Sequence, residues 1–161
     1  EPHIKLLIVG SPFFARTQQS AFQRKLEQQA KSLGNRVQFT GYIPNEDLPD
    51  YYRLADLCCV PTLVEEAAGL VAVEAMACGL PVVGSNEGGL PEFINSQVGT
   101  LVSPEDEEAF CAAILNELTR HHTEPERRDI IAHYASSNFA QAQFVAKLEQ
   151  VYQRAVRDFS G

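Results

Sequence analysis

The chain predicts an α/β fold, a doubly wound parallel sheet followed by extra C-terminal helices. Short apolar runs alternate with longer amphipathic ones until about Arg120, after which only helical texture remains. Runs such as Leu57-Cys58-Cys59-Val60 and Pro81-Val82-Val83-Gly84 lack polar alternation, as expected of strands covered on both faces of a parallel sheet. Glycine, proline and acidic residues punctuate the boundaries between the two kinds of run, and that order implies helices wound on both sides of a sheet.

The elements follow in order. Strands are expected at 4–9, 36–40, 57–60, 81–84 and 99–102, and helices near 17–33, 46–55, 69–78, 104–119, 124–136 and 140–158. Gly34 ends the first helix, and Gly79 offers the left-handed residue that closes the third, with Pro81 preventing continuation. Ser103-Pro104-Glu105-Asp106 offers an N-cap, a proline at the first helical position and acid in the first turn. His121-His122-Thr123 reads as a polar turn. Beyond it, Phe139, Phe144, Val145, Leu148, Val151, Tyr152 and Val156 form an apolar stripe that needs a partner surface.

With 161 residues, of which 45% are hydrophobic, the chain has enough apolar side chain for one buried core, so a single domain over 1–161 is expected, with a helical segment from about 121. A net charge of −8 argues against nucleic acid, whose phosphates need clustered Lys and Arg. No apolar run approaches the roughly 20 residues that span a bilayer, and no signal-peptide layout opens the chain. Cys58, Cys59, Cys78 and Cys111 form no paired CxxC units, so they read as reduced core thiols of a cytoplasmic domain. His3, His121, His122 and His133 show no ligand spacing, and neither metal nor cofactor is expected. The abrupt start, with Glu1-Pro2-His3 leading straight into a strand, reads as a fragment of a larger protein.

The most informative stretch is Glu66-Ala67-Ala68-Gly69-Leu70-Val71-Ala72-Val73-Glu74-Ala75-Met76-Ala77-Cys78-Gly79-Leu80-Pro81. Seven residues separate the two glutamates. One precedes a helix that opens near Gly69, and the other sits in its second turn. The first helical N–H groups, unpaired within the helix and at the positive end of its dipole, face the same space as both carboxylates. Such a space suits an anionic ligand rich in hydroxyls. A bland reading stands beside it, because most helical Glu are simply solvated and loop acids such as Glu65 and Glu66 usually are too. The apolar and small flanks of Glu74 favour a placed carboxylate. Gly10-Ser11-Pro12 ends the first strand where ligands approach a doubly wound sheet, but it lacks the GxGxxG spacing of a classical NAD site.

The block from Glu66 to Val83, with Glu87-Gly88-Gly89-Leu90-Pro91-Glu92, resembles the signature of the retaining, GT-B-fold glycosyltransferases of family four, the group that includes sucrose and glycogen synthase relatives. The likeness extends to Leu7-Ile8-Val9-Gly10, Val37 to Pro44 and Tyr51 to Asp56, and covers most of residues 4–119. It implies a Rossmann-like, C-terminal donor-binding half of a GT-B fold, with a nucleotide-diphosphate sugar as substrate. It also implies an N-terminal acceptor-binding domain of the same polypeptide as partner, through which any membrane association would come.

Residue by residue, the resemblance implies that Glu74 accepts hydrogen bonds from ribose hydroxyls and that Glu66 contacts the donor sugar. Glycosidase-style retention would want two carboxylates about 5 Å apart across the anomeric carbon. Carboxylates on opposite sides of a helix start need not meet that distance, so Glu66 reads as a sugar-positioning acceptor at the catalytic position. Retention by front-face attack, assisted by the leaving phosphate, is what the family implies. Gly69 and Leu70 would offer backbone N–H groups to the diphosphate, and Gly41, Tyr42 and Ile43 would lie against the base; a plain strand-to-helix turn is the alternative for the latter. Gly10, Gly88, Gly89 and Glu92 are expected near the donor. The Arg and Lys that neutralise the diphosphate in the family come from a segment upstream of the first strand here, so the chain alone is expected to bind nucleotide weakly and to transfer nothing.

One departure stands out: Ala67-Ala68 replaces the small residue and aromatic usual before Gly-Leu, which leaves open an unusual donor or a weakened site. Two other readings compete with the transferase. One is a nucleotide-sugar epimerase half, and the other is a non-catalytic α/β nucleotide-binding or scaffold domain.

Overall fold

A computed structural model describes residues 3–10, 20–63 and 69–159. The chain forms two compact units, 1–48 and 49–161. Among the described residues the strands of both pair in parallel, with one isolated antiparallel bridge between Gly10 and Gly41.

In the first unit, β1 (Leu6–Val9) pairs with β2 (Val37–Gly41), and α1 (Ala21–Ala30) lies between them in sequence. Ser20 caps α1, its side chain accepting from the Gln23 N–H at 3.0 Å. The helix stops earlier than its periodicity predicts. A 3₁₀ segment over Lys31–Arg36 follows, broken by Gly34 at φ 58° and ψ −132°, a conformation that frees the chain to turn into β2. Leu6 faces Val37 and Ile8 faces Phe39, after which the register shifts so that Val9 faces Gly41.

The second unit begins inside α2 (Leu48–Leu54). It continues with β3 (Cys58–Val60), α3 (Leu70–Ala77), β4 (Val82–Ser85), α4 (Leu90–Phe93), β5 (Gly99–Val102), α5 (Glu107–Thr123), α6 (Arg127–Phe139) and α7 (Gln141–Phe159). The strand order is β3-β4-β5. All four residues of the central β4 are buried, which explains its unbroken Val-Val-Gly-Ser run. Successive strand residues point to opposite faces, and the packing shows it. Val82 joins Ala72, Ala75, Met76, Leu90, Ile131 and Ala135 from α3, α4 and α6, whereas Val83 joins Val102, Ala113 and Ile114 on the α5 side. Helices therefore cover both faces, as the sequence predicts.

Gly79 closes α3 at φ +79°, as expected, and a Cβ there would lie 2.9 Å from the Arg128 carbonyl oxygen. The missing side chain is what lets α6 approach the end of α3. Arg128 completes the junction by donating to the Arg53 and Ala55 carbonyls, both at 3.3 Å.

Three expectations need correction. Asp106, not Ser103, caps α5, its carboxylate accepting from the Ala109 N–H at 2.8 Å, while the Ser103 carbonyl closes a preceding turn with Asp106. A carboxylate capping at 106 also sets Glu107 and Glu108 in the positive first turn. His121-His122-Thr123 is the last turn of α5 rather than a turn between helices, and His121 lies 3.6 Å from Asp56. Phe139 leaves the apolar stripe and packs edge-on against Phe93 and Tyr134, with ring centroids 5.2 and 5.6 Å away. The rest of the stripe lies on α7, where Phe144, Val151, Tyr152 and Val156 are exposed and no residue is buried.

Candidate functional site

In a parallel sheet, the loops that follow successive strands emerge at the same carboxyl edge. Gly69 opens α3 after β3, and β4 leads through 86–89 into α4, so the start of α3 and the Gly88-Gly89 turn are delivered to one edge of the second unit. Gly69 is the N-cap of α3. It is buried and left-handed at φ 51° and ψ 38°, and its carbonyl accepts from the Ala72 N–H at 2.9 Å. A Cβ there would come within 2.6 Å of Leu90 Cδ2. Glycine at 69 is favoured by its left-handed dihedral angles, and its missing Cβ leaves the space that the Leu90 side chain fills. That contact brings the Gly88-Gly89 turn, with Gly88 at φ +57°, against the start of α3.

The amides of Leu70 and Val71 lie in the first turn of α3, where N–H groups have no acceptor within the helix. Leu70 is exposed. Glu92 is also exposed, in the first turn of α4, its N–H bonded to the Gly89 carbonyl.

Glu74 lies in the second turn of α3 with its carboxylate exposed. Tyr52 on α2 donates its hydroxyl to Glu74 Oε2 at 3.0 Å. Burial pushes the Tyr52 pKa up, and the hydrogen bond and negative charge of Glu74 push it further. Cys58 and Cys59 line the strand beneath. Burial pushes their thiols up to about 12 and about 11, and the neighbouring Cys59 and Glu74 add to the rise at Cys58. Both stay neutral and unreactive near pH 7. Cys111 departs from the expected core placement and is exposed on α5.

In the first unit, Gly10 and Gly41 meet at the ends of β1 and β2, the Gly10 N–H donating to the Gly41 carbonyl at 3.0 Å. Their φ values of 121° and 70° are both glycine conformations. Tyr42 follows with its ring exposed, and Ile43 is half-buried.

The structure therefore gathers Gly69, Leu70, Glu74, Gly88, Gly89 and Glu92 in one unit and Gly10, Gly41, Tyr42 and Ile43 in the other. Glu66 lies outside the described residues, as do Ala67 and Ala68. Tyr52 is the neighbour of Glu74 that sequence reasoning missed. It falls in the Tyr51-Tyr52-Arg53 run of the resemblance, but no local spacing links it to a residue 22 positions later. A shallow groove lined by Gln97, Asp129, His133, Tyr134 and Ser137 holds none of the candidate residues.

Residues 1–137 match the family model described as glycosyl transferases group 1. A D-inositol 3-phosphate glycosyltransferase of Mycolicibacterium smegmatis is 35% identical over 159 residues, covering 98% of this chain and 36% of that protein. The chain spans about a third of the length of the curated relatives it matches. Among solved structures, sucrose-phosphate synthase from Thermosynechococcus elongatus superposes with a TM-score of 0.80 at 34% identity, covering 96% of this chain and 39% of that one. Anabaena HepE, solved in complex with UDP-glucose, superposes with a TM-score of 0.77 at 28% identity over 96% of this chain and 42% of its own. The solved structures it resembles are GT-B glycosyltransferases, which agrees with a Rossmann-like half.

Proposed function

The chain belongs to the glycosyl transferases group 1 family, and from that premise we propose that it is the C-terminal, donor-binding half of a retaining glycosyltransferase that takes a nucleotide-diphosphate sugar. The observation that carries the reading is the pairing of an exposed Glu74 carboxylate with the glycine-capped start of its own helix, at the carboxyl edge of a parallel sheet. HepE, a structural relative, was solved with UDP-glucose.

In this reading the diphosphate is met by the first-turn amides of α3, where each favourable charge contact contributes about 0.3–1 kcal/mol. Gly69 supplies the left-handed cap from which those amides are presented, and its missing Cβ leaves room for Leu90 behind them. Glu74 accepts from the ribose hydroxyls, Gly41 to Ile43 offer backbone groups to the base, and Glu66 positions the sugar. Retention follows from front-face attack assisted by the leaving phosphate. No metal is assigned. An N-terminal domain of the same polypeptide supplies the acceptor site, the setting is cytoplasmic, and the chain alone binds without turning over.

The test is an amide NMR titration of the chain with UDP, GDP and ADP, which detects millimolar binding. Shifts confined to Gly41–Ile43 and Gly69–Glu74 for one nucleotide are expected, with affinity reduced about 10- to 100-fold in Glu74→Ala, the range of a lost hydrogen bond to a charged group. Equal affinity in Glu74→Ala, or no shift with any nucleotide, would sink the assignment of this site.

A further inference from the structure

We propose that Tyr52 is a positioning residue for Glu74, holding one carboxylate oxygen so that the other is presented to the hydroxyls of the bound ligand. The inference rests on the donor-site reading of Glu74 and adds a residue to which that reading gives no role.

Three observations carry it. The Tyr52 hydroxyl bonds Glu74 Oε2 at 3.0 Å, and among the described residues Oε1 has no hydrogen-bond partner. The Tyr52 ring packs against the main hydrophobic core together with Ala55, Cys58 and Cys78, so the hydroxyl is delivered from a fixed base. Glu74 itself is exposed, and an exposed glutamate left alone samples several rotamers. A half-buried tyrosine packed on the core and bonded to one oxygen restricts that sampling, so part of the ordering precedes the ligand.

The chemistry suits the role. The buried ring edge and the Glu74 charge raise the tyrosine pKa, so the hydroxyl stays a donor throughout the physiological range. Cys58 lies near the same carboxylate with a thiol pushed up to about 12, and therefore adds no charge that would repel it. Both oxygens of the ionised carboxylate only accept, so with one of them held by Tyr52 the other is turned to the ligand's hydroxyls, and a ligand that lacks them leaves it unpaired.

The experiment compares each of UDP, GDP and ADP with its 2′,3′-dideoxy counterpart, by NMR titration of the wild-type chain and of Tyr52→Phe. The wild type is expected to prefer the ribose form by about tenfold, as for a hydrogen bond to a charged group. Tyr52→Phe is expected to lose most of that preference, the ribose form weakening about three- to tenfold while the dideoxy form is unchanged. Equal weakening of both forms would assign Tyr52 a structural role only and overturn the proposal, as would a preference that Tyr52→Phe keeps in full. A wild type with no preference would overturn the donor-site reading and this inference with it. Should Tyr52→Phe not fold, the wild-type Tyr52 ring resonances decide: they are expected to shift with the ribose form and not the dideoxy form, and equal shifts with both count against the proposal.

Discussion

Glu117 on α5 and Arg127 on α6 form an ion pair with both side chains out of solvent, Nη2 standing 2.5 Å from Oε2. Thr100 donates to the other Glu117 oxygen at 2.6 Å, and Arg120 approaches it at 3.6 Å. The pair is close but poorly aligned for hydrogen bonding, and among the described residues Arg127 Nε and Nη1 have no hydrogen-bond acceptor. Burial strips both ions of water, and this partial compensation makes the pair weak as a source of stability yet costly to break. Arg127→Met alone should destabilise the second unit by about 3–5 kcal/mol, because it leaves a buried carboxylate. Glu117→Leu combined with Arg127→Met should recover most of the loss. Urea unfolding midpoints check both, and a double variant no more stable than the single one would contradict the argument.

Gly79 and Gly34 separate backbone strain from collision. Both have positive φ, but a Cβ at 79 meets the Arg128 backbone whereas a Cβ at 34 meets nothing within 4 Å. Gly34→Ala should cost about 1–3 kcal/mol, from a positive-φ backbone conformation that L residues rarely adopt and with no collision added. Gly79→Ala should cost about 3 kcal/mol or more, since α6 must also shift. Chemical denaturation of the two variants measures the difference.

The thiols should divide by exposure. Iodoacetamide at pH 8, followed by peptide mass spectrometry, should label Cys111 first and leave Cys58 and Cys59 unmodified in the folded chain. Their folded pKa values, about 12 and about 11, lie above the ordinary 9.0. The associated stability is therefore fully present below pH 9 and lost as pH rises through 11 and 12. Labelling of Cys58 and Cys59 at the Cys111 rate would refute their burial.

The apolar face of α7 should bind a hydrophobic dye. A triple substitution, Phe144→Ser, Val151→Ser and Tyr152→Ser, should lower dye fluorescence severalfold while changing the unfolding midpoint little, because none of the three is buried. A dye-negative wild type would count against this exposed face.

Local pattern was enough for much of this protein. Continuous apolar runs placed β3 and β4, the end of α3 was legible in Gly79 with Pro81, and the glutamate and glycine block named the family before any contact was known. These features depend on backbone dihedrals and periodicity, which neighbouring residues set. The extent of α5 was not legible, because His121 lies against Asp56, a neighbour far away in the sequence that no local pattern reveals. Nor was the fate of Phe139, which its spacing assigned to the stripe and its neighbours Phe93 and Tyr134 drew inward. Only tertiary structure decided that Tyr52 meets Glu74 and that Glu117 meets Arg127. Each pair joins two helices whose relative placement is set by burial of the whole core, and no local spacing encodes that.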